Sequence, residues 1–248
     1  MAATNSQNIY EDGGAESGRR PELVALRTVP APWALPVDEL PVPDGSRHAS
    51  FYVRVVKRAL DVVVASLALL VALPVIVVLA AAVRITMGGP VFFRQVRIGR
   101  GGTPFEVLKL RTMRPDRRRS EGTYTGPDRR RTHKPARHPL MTPLGRLLRT
   151  YSLDEFPQLL NVLRGDMSLV GPRPELPSVT WAYEPWQHAR MLVRPGLTGL
   201  WQITARGHAP MHERTDLDIE YVRRVSIGTD LRILAATPRA MLGEHKGH

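Results

Sequence analysis

Cysteine is absent from this chain of 248 residues, and that one absence removes disulfide frameworks, thiolate metal sites and cysteine nucleophiles together. Any metal chemistry is left to hard, oxygen-ligated cations, which acidic residues can hold. A reducing compartment is compatible with the same absence. Acidic residues are themselves scarce beside basic ones, 23 against 35, for a formal charge of +12 and a sequence pI near 10.9. That imbalance indicates an acidic partner, whether nucleic acid, anionic lipid or a phosphorylated substrate. Residues 1–48 show no basic start, apolar core and small-residue cleavage site in succession, and so do not read as a secretory leader. They are rich in Gly, Pro, Ser and Glu without a sustained period, and read as a disordered tail.

What is present begins with enough chain, at 43% hydrophobic, for one domain of ordinary size with a core and appendages. The first long apolar run, residues 62–83, VVVASLALLVALPVIVVLAAAV, carries no charge and meets the length a bilayer-crossing helix needs. Pro74 near its middle removes an N–H and clashes with the preceding turn, which predicts a sharp bend. Arg54, Lys57 and Arg58 precede the run and Arg84, Arg94 and Arg97 follow it, so the positive-inside tendency favours both ends on one side. A re-entrant helix satisfies that pattern better than a straight span or a buried soluble helix. Asp61, three residues after Arg58, is placed for an ion pair at the membrane boundary.

Beyond the run, GGPVFFRQVRIGRGGTPFEVLKLRTM predicts a hairpin turning at Gly101-Gly102. Arg94, Arg97, Arg100, Lys109 and Arg111 then lie on or beside strands, either as one cationic face for headgroups or a diphosphate or as a solvated strand face. Residues 114–138, dense in Arg and turn formers, predict a mobile loop. Without interleaved aromatics or a binding fold they argue against nucleic acid and for anionic membrane lipid.

The most informative stretch is YSLDEFPQLLNVLRGDMSLVGPRP, residues 151–174. Ser152 and Glu155 form an S-x-x-E pattern that predicts a capping box, with Asp154 in the first helical turn where an anion or phosphate is favoured. Capping alone is the plainer reading of the same residues. Pro157 fits the first turn only if Asp154 rather than Ser152 is the cap. Phe156, Leu159, Leu160 and Leu163 recur at helical spacing and end near Gly165. Arg173 stands between Pro172 and Pro174, a guanidinium on stiffened backbone suited to phosphate or to a carboxylate. Arg194-Pro195-Gly196-Leu197-Thr198-Gly199 reads as a tight loop whose glycines admit a ligand, or as an ordinary turn.

Taken in order, the run from Lys57 to Met113, SLDEFPQLLNVLRGDMSLVGPRP, RPGLTGLWQ and DLDIEYVRRVSIGTDLRIL resemble the bacterial sugar transferase family, the monotopic phosphoglycosyl transferases, across residues 50–242. The resemblance implies transfer of a sugar 1-phosphate from a UDP-sugar to polyprenol (undecaprenyl) phosphate, giving polyprenyl diphosphate-sugar and UMP. It implies Asp154 as nucleophile, Glu155 as ligand of Mg²⁺ beside it, and a membrane helix bent at Pro74. Lys109, Arg111, Arg149, Arg173, Arg194 and Arg206 are the expected substrate-binding residues; Arg58, Asp61 and Pro74 belong to the membrane segment. The expected fold is α+β: a re-entrant membrane helix within residues 49–88, a small mixed helix/strand catalytic domain over residues 89–242 with amphipathic surface helices, and a short tail at 243–248. A homodimer is compatible with the family, and the expected location is the cytoplasmic face of the bacterial inner membrane.

Two departures from the family pattern stand out. Leu73 occupies the place before the bend proline where a polar residue is common, leaving Ser66 or Thr86 to serve the freed carbonyl. Thr204-Ala205-Arg206-Gly207 replaces a Ser-Gly-Arg sequence. A nonenzymatic membrane adaptor of a polysaccharide assembly complex, with the acid pair only capping a helix, is the alternative reading. UMP release from a UDP-sugar would separate the two.

Overall fold

Helix α1, Lys57–Met87, entered through a π-helical turn at Tyr52–Val56, organises the computed structural model, which describes residues 40–114, 140–205 and 211–242. It stops at Gly88, whose φ of 60° a side chain would resist. Strand β1, Phe92–Ile98, then pairs antiparallel with β2, Pro104–Leu110, through a turn at Arg100–Gly102, the hairpin the Gly-rich turn predicts. After α2, Pro143–Thr150, a 3-10 turn at Leu153–Gln158 runs into α3, Leu159–Arg164. Strand β3, Ser168–Val170, lies parallel to β4, Gly196–Thr198. Between them come α4, Pro177–Thr180, and a 3-10 helix, Pro185–Leu192. The short α5, Leu200–Thr204, and two longer helices, α6, Thr215–Arg224, and α7, Ile227–Leu242, complete the chain. The mixed helix/strand class follows the sequence expectation.

Along α1 the buried residues Lys57, Asp61, Ala65, Ile76 and Val83, with Leu69, Ala72, Leu79 and Met87 half-buried, recur every three or four positions on one face. The opposite face is apolar and bare: Leu70 is 71% exposed, Val71 76% and Val78 67%. A surface of that kind requires an apolar medium, so α1 marks the protein as membrane-associated. Pro74 is taken up inside the helix, which continues to Met87 instead of stopping at the proline. Thr86 donates to Ala82 O at 2.7 Å, one turn back in its own helix, and so does not serve the carbonyl that Pro74 frees.

Both ends of α1 are held by the same domain. At the start, Lys57 Nζ meets Asp230 Oδ2 of α7 at 2.6 Å, and Asp61 Oδ1 accepts from Ser168 Oγ and the Leu169 N–H, both at 3.0 Å. Near the finish, Val83 packs with Leu110 and Leu148 in a small second core. The expected Arg58–Asp61 ion pair does not form. Arg58 instead donates to Val162 O at 2.6 Å and Leu163 O at 2.9 Å, among the last carbonyls of α3, which lack a full set of intrahelical donors.

The main core gathers Ala65, Val107, Leu159, Val162, Met167, Val170, Leu192, Val222 and Ile233. The crossing of β3 and β4 is too tight for side chains: a Cβ on Gly196 would lie 2.1 Å from Gly171 N, and one on Gly199 would lie 2.2 Å from Gly171 O. The glycines of the Arg-Pro-Gly-Leu-Thr-Gly stretch therefore admit the neighbouring backbone of Gly171. Arg206 and nearly all of residues 114–138 lie outside the described residues.

Candidate active site

The acid pair sits on the 3-10 turn ahead of α3, and its setting differs from the predicted capping box. Ser152 adopts a left-handed φ of 53° and gives the helix no side-chain cap; the Glu155 N–H donates to Ser152 O instead. Pro157, which has no N–H to give an α-helical bond, lies inside the 3-10 turn, and the α-helix proper begins two residues later at Leu159. Asp154 and Glu155 occupy the first turn, as expected. Of the anticipated apolar face, Leu159 is buried while Phe156, Leu160 and Leu163 are half-buried; Asn161 and Val162 join the interior and Gly165 ends the helix in a left-handed conformation.

Asn161 sets the distance between this segment and the hairpin. Its amide donates to Glu106 O at 2.7 Å and accepts from Leu108 N at 3.1 Å, which satisfies the free edge of β2. Lys109, the next residue of that strand, then reaches the acid pair. The strand register places Arg97 opposite Phe105 and Phe93 opposite Lys109, so Arg97 and Lys109 share one face of the hairpin. Arg94 faces the other way, 3.6 Å from Glu106. The single cationic face considered from the sequence is thus divided between two sides.

Glu155 is held by two cations. Its Oε1 lies 2.7 Å from Lys109 Nζ and 2.6 Å from Arg173 Nη2, and its Oε2 lies 3.3 Å from Arg173 Nη1. Burial alone would raise its pKa, but the charges of Arg173 and Lys109 outweigh burial and hold it well below the usual carboxylate range. Asp154, 7% exposed, makes no such pair among the described residues. Burial pushes its pKa up to about 6, against Lys109, which lowers it, and with the neighbouring Glu155 charge, which raises it. Arg149 acts on both carboxylates through its charge while its Nε donates to Thr112 Oγ1 at 2.9 Å. Helix α2, which carries Arg149, is N-capped by Thr142 and lies against Thr112 so closely that a Cβ on Gly145 would fall 1.8 Å from Thr112 O.

Lys109, Arg149 and Arg173 of the six expected cations therefore converge on the pair. Arg111 and Arg194 do not. Arg111 turns to Gly88 O at the end of α1, and Arg194 Nε donates to Gly165 O at 3.0 Å beyond α3. In both cases the carbonyls of a helix terminus are the nearer partner. Sequence reading passed over Thr112 and Asn161, and it gave no role to Arg190. Thr112 adjoins Arg111 in KLRTM; Asn161 and Arg190 carry no local signal, since their partners lie far away in sequence.

Among the described residues no cluster of three or more His, Asp or Glu could cage a metal. A Mg²⁺ ion commonly takes only one or two protein oxygens and completes its shell from phosphates and water; of the two adjacent carboxylates, Glu155 has both oxygens engaged by Lys109 and Arg173.

An apolar helix is anchored to a small helix/strand domain in which a carboxylate paired with two cations stands beside one with no ion pair among the described residues, and similarity to known proteins gives this arrangement its class, that of a sugar-phosphate transferase. The model of the family described as "Bacterial sugar transferase" matches residues 52–244. A UDP-glucose:undecaprenyl-phosphate glucose-1-phosphate transferase of Caulobacter vibrioides is 43% identical over 196 residues, 75% of this chain and 69% of that protein. The exopolysaccharide production protein ExoY of Rhizobium meliloti is 41% identical over 187 residues, 73% of this chain and 83% of its own length. A second UDP-glucose:undecaprenyl-phosphate glucose-1-phosphate transferase, from Escherichia coli, is 39% identical over 192 residues, 74% of this chain and 39% of that longer protein. The chain belongs to the bacterial sugar transferase family, and the enzyme reading prevails over the adaptor.

Proposed function

We propose that this enzyme transfers a sugar 1-phosphate from a UDP-sugar to polyprenol phosphate at the cytoplasmic face of the bacterial inner membrane, through a covalent aspartyl intermediate. The observation that carries the reading is the unequal pairing of the two carboxylates. Glu155 is neutralised by two cations, whereas Asp154 has no ion pair among the described residues and a pKa of about 6, which leaves its carboxylate mostly ionised at neutral pH and able to act as a nucleophile. An oxygen of Asp154 attacks the sugar-bearing phosphorus, the bond to the bridging oxygen breaks, and UMP leaves with that electron pair. An oxygen of the lipid phosphate then attacks the same phosphorus, the acyl phosphate bond breaks, and the Asp154 carboxylate is restored. Neither displacement requires a net proton.

Arg173 and Lys109 are placed to offset charge on the transferring group, and Arg149 acts beside them. Glu155, with Asp154, would hold Mg²⁺, which supplies Lewis-acid stabilisation of phosphate oxygens when bound. The location at one membrane face is supported by α1, both of whose ends are fixed to one domain while its middle presents bare aliphatic residues. A helix entering and leaving on the same side meets that requirement. The relatives' printed substrates support the donor and acceptor classes.

The test is a radiolabelled UDP-sugar panel with denaturing electrophoresis. A labelled protein adduct that disappears in Asp154→Asn, together with loss of UMP release, is the expected result. Full retention of the adduct in that variant would overturn the nucleophile assignment.

A further inference from the structure

The stiffness of Pro172-Arg173-Pro174 does not come from its prolines alone. Each of the three carbonyls has a donor from a different part of the chain. Pro172 O accepts from Gly196 N at 2.8 Å, Arg173 O from Arg190 Nη2 at 2.6 Å, and Pro174 O from Arg97 Nη1 at 3.1 Å. The first is a main-chain bond beside the β3/β4 pair. The other two are guanidinium groups spent on neutral carbonyls immediately behind the side chain that clamps Glu155.

Arg190 is 5% exposed and fixed on every side. Its Nη2 also meets Asp218 Oδ2 of α6 at 2.7 Å, and its Nη1 donates to Tyr183 Oη at 2.7 Å. Tyr183 in turn donates to Glu175 Oε1 at 3.3 Å. Arg97 is oriented by Gln95 Oε1 at 2.8 Å and by Glu175 Oε2 at 3.9 Å, while the main chain of Glu175 accepts from Ile98 N at 2.9 Å. A simple buried ion pair between Arg190 and Asp218 would leave the arginine's remaining donors free to face anything. Here they meet the carbonyl of the one arginine that pairs with Glu155 in two-pronged fashion. The cations that dominate the charge state of Glu155 are Arg173 and Lys109, so Arg190 reaches the acid pair through the position of Arg173.

We propose that Arg190 and Arg97 are positioning residues for the transfer reaction: they grip the consecutive carbonyls of Arg173 and Pro174 and so set the Arg173 guanidinium against Glu155 and the substrate phosphates. The inference rests on the acid pair being the reaction centre. A bidentate clamp is sensitive to small displacements, since misplacement by about 1 Å can cost on the order of 100-fold in rate. Lysine at either position keeps the positive charge near Asp218 or Glu175 but has one nitrogen in place of the planar fork that serves several acceptors at once.

The experiment is a double-mutant cycle on full-length protein in lipid nanodiscs, with kcat and KM from UMP release and thermal unfolding recorded alongside. Arg190→Lys in the wild-type background is expected to lower kcat about 10- to 100-fold with KM for the UDP-sugar changed much less, as for an interaction realised in the transition state. In an Arg173→Ala background the same substitution is expected to cost less than about 3-fold, because there is no guanidinium left to aim. Equal losses in both backgrounds would overturn the proposal and leave Arg190 a structural residue. Should Arg190→Lys not yield folded protein, Arg97→Lys runs the same cycle at the adjacent carbonyl, with the same two outcomes. The adduct assay with Asp154→Asn, run in parallel, reports separately on the reaction centre. Coupling between Arg190 and Arg173 with a retained adduct in Asp154→Asn would sustain the positioning role and reject the nucleophile.

Discussion

The two ends of α3 use arginine in opposite ways. Ahead of the helix, Lys109, Arg149 and Arg173 converge on carboxylates; behind it, Arg58 and Arg194 converge on main-chain carbonyls of Val162, Leu163 and Gly165. All five are basic residues in apolar or Pro-rich contexts, and nothing local separates them. What separates them is the partner. Carbonyls at a helix end are neutral and permanent, so a cation spent on them completes architecture. Carboxylates at the other end leave a site whose charge balance can change when a phosphate arrives.

The sharpest way to break this comparison is to remove the charge that anchors the front cations. Glu155→Gln leaves the half-buried Lys109 and Arg173 without their counter-ion, and stability is expected to fall by about 1–3 kcal/mol. Activity should be lost with it; urea unfolding in detergent micelles would measure the first and UMP release the second. An unchanged unfolding midpoint would mean that the front cations do not depend on Glu155.

Its neighbour should respond in the reverse sense. The folded pKa of Asp154, about 6, exceeds its ordinary 3.8, so the fold binds this proton more tightly than the unfolded chain does. The associated stability is fully present below pH 4 and is lost as pH rises through 6, reaching a cost of up to about 3 kcal/mol near neutrality. Asp154→Asn should therefore raise the melting temperature at pH 7.5 while abolishing the adduct, and the gain should vanish near pH 4. A variant that melts lower than wild type at pH 7.5 would show that this carboxylate is stabilised by a partner outside the described residues.

The rear of the helix supplies the smallest effect. Arg194→Gln is expected to cost about 1.5 kcal/mol of stability through the lost charge-assisted bond to Gly165 O, with kcat/KM for the UDP-sugar unchanged. A drop in kcat/KM larger than the stability loss explains would place Arg194 with the front group after all.

Sequence reading succeeded where the determinants were local. The hairpin followed from Gly101-Gly102 between alternating runs, and the apolar helix and acid pair were plain from composition and motif. Of the six cations expected to bind substrate, Lys109, Arg149 and Arg173 lie at the acid pair while Arg111 and Arg194 turn to helix-end carbonyls. Sequence reading missed where the deciding contact was distant. A shared helix face predicts an Arg58–Asp61 pair, but Asp61 is taken by Ser168 and Leu169, 107 and 108 residues away. The capping box matched a four-residue pattern, yet the left-handed turn at Ser152 and the proline at 157 impose a 3-10 entry that no S-x-x-E pattern encodes. Arg190 was invisible for the same reason, because its value lies in the carbonyl of Arg173, 17 residues away in sequence.

Since Lys57, Asp61 and Ala65 are interior residues of the domain as much as parts of the apolar helix, that helix cannot be treated as a detachable anchor. Cutting the chain at Gly88 to obtain a water-soluble enzyme would strip Asp230 of its lysine and open the floor beneath β3. Solubilisation would succeed better by recolouring the bare face, with polar replacements at positions such as Leu70, Val71 and Val78, while every inward residue of the same helix is kept.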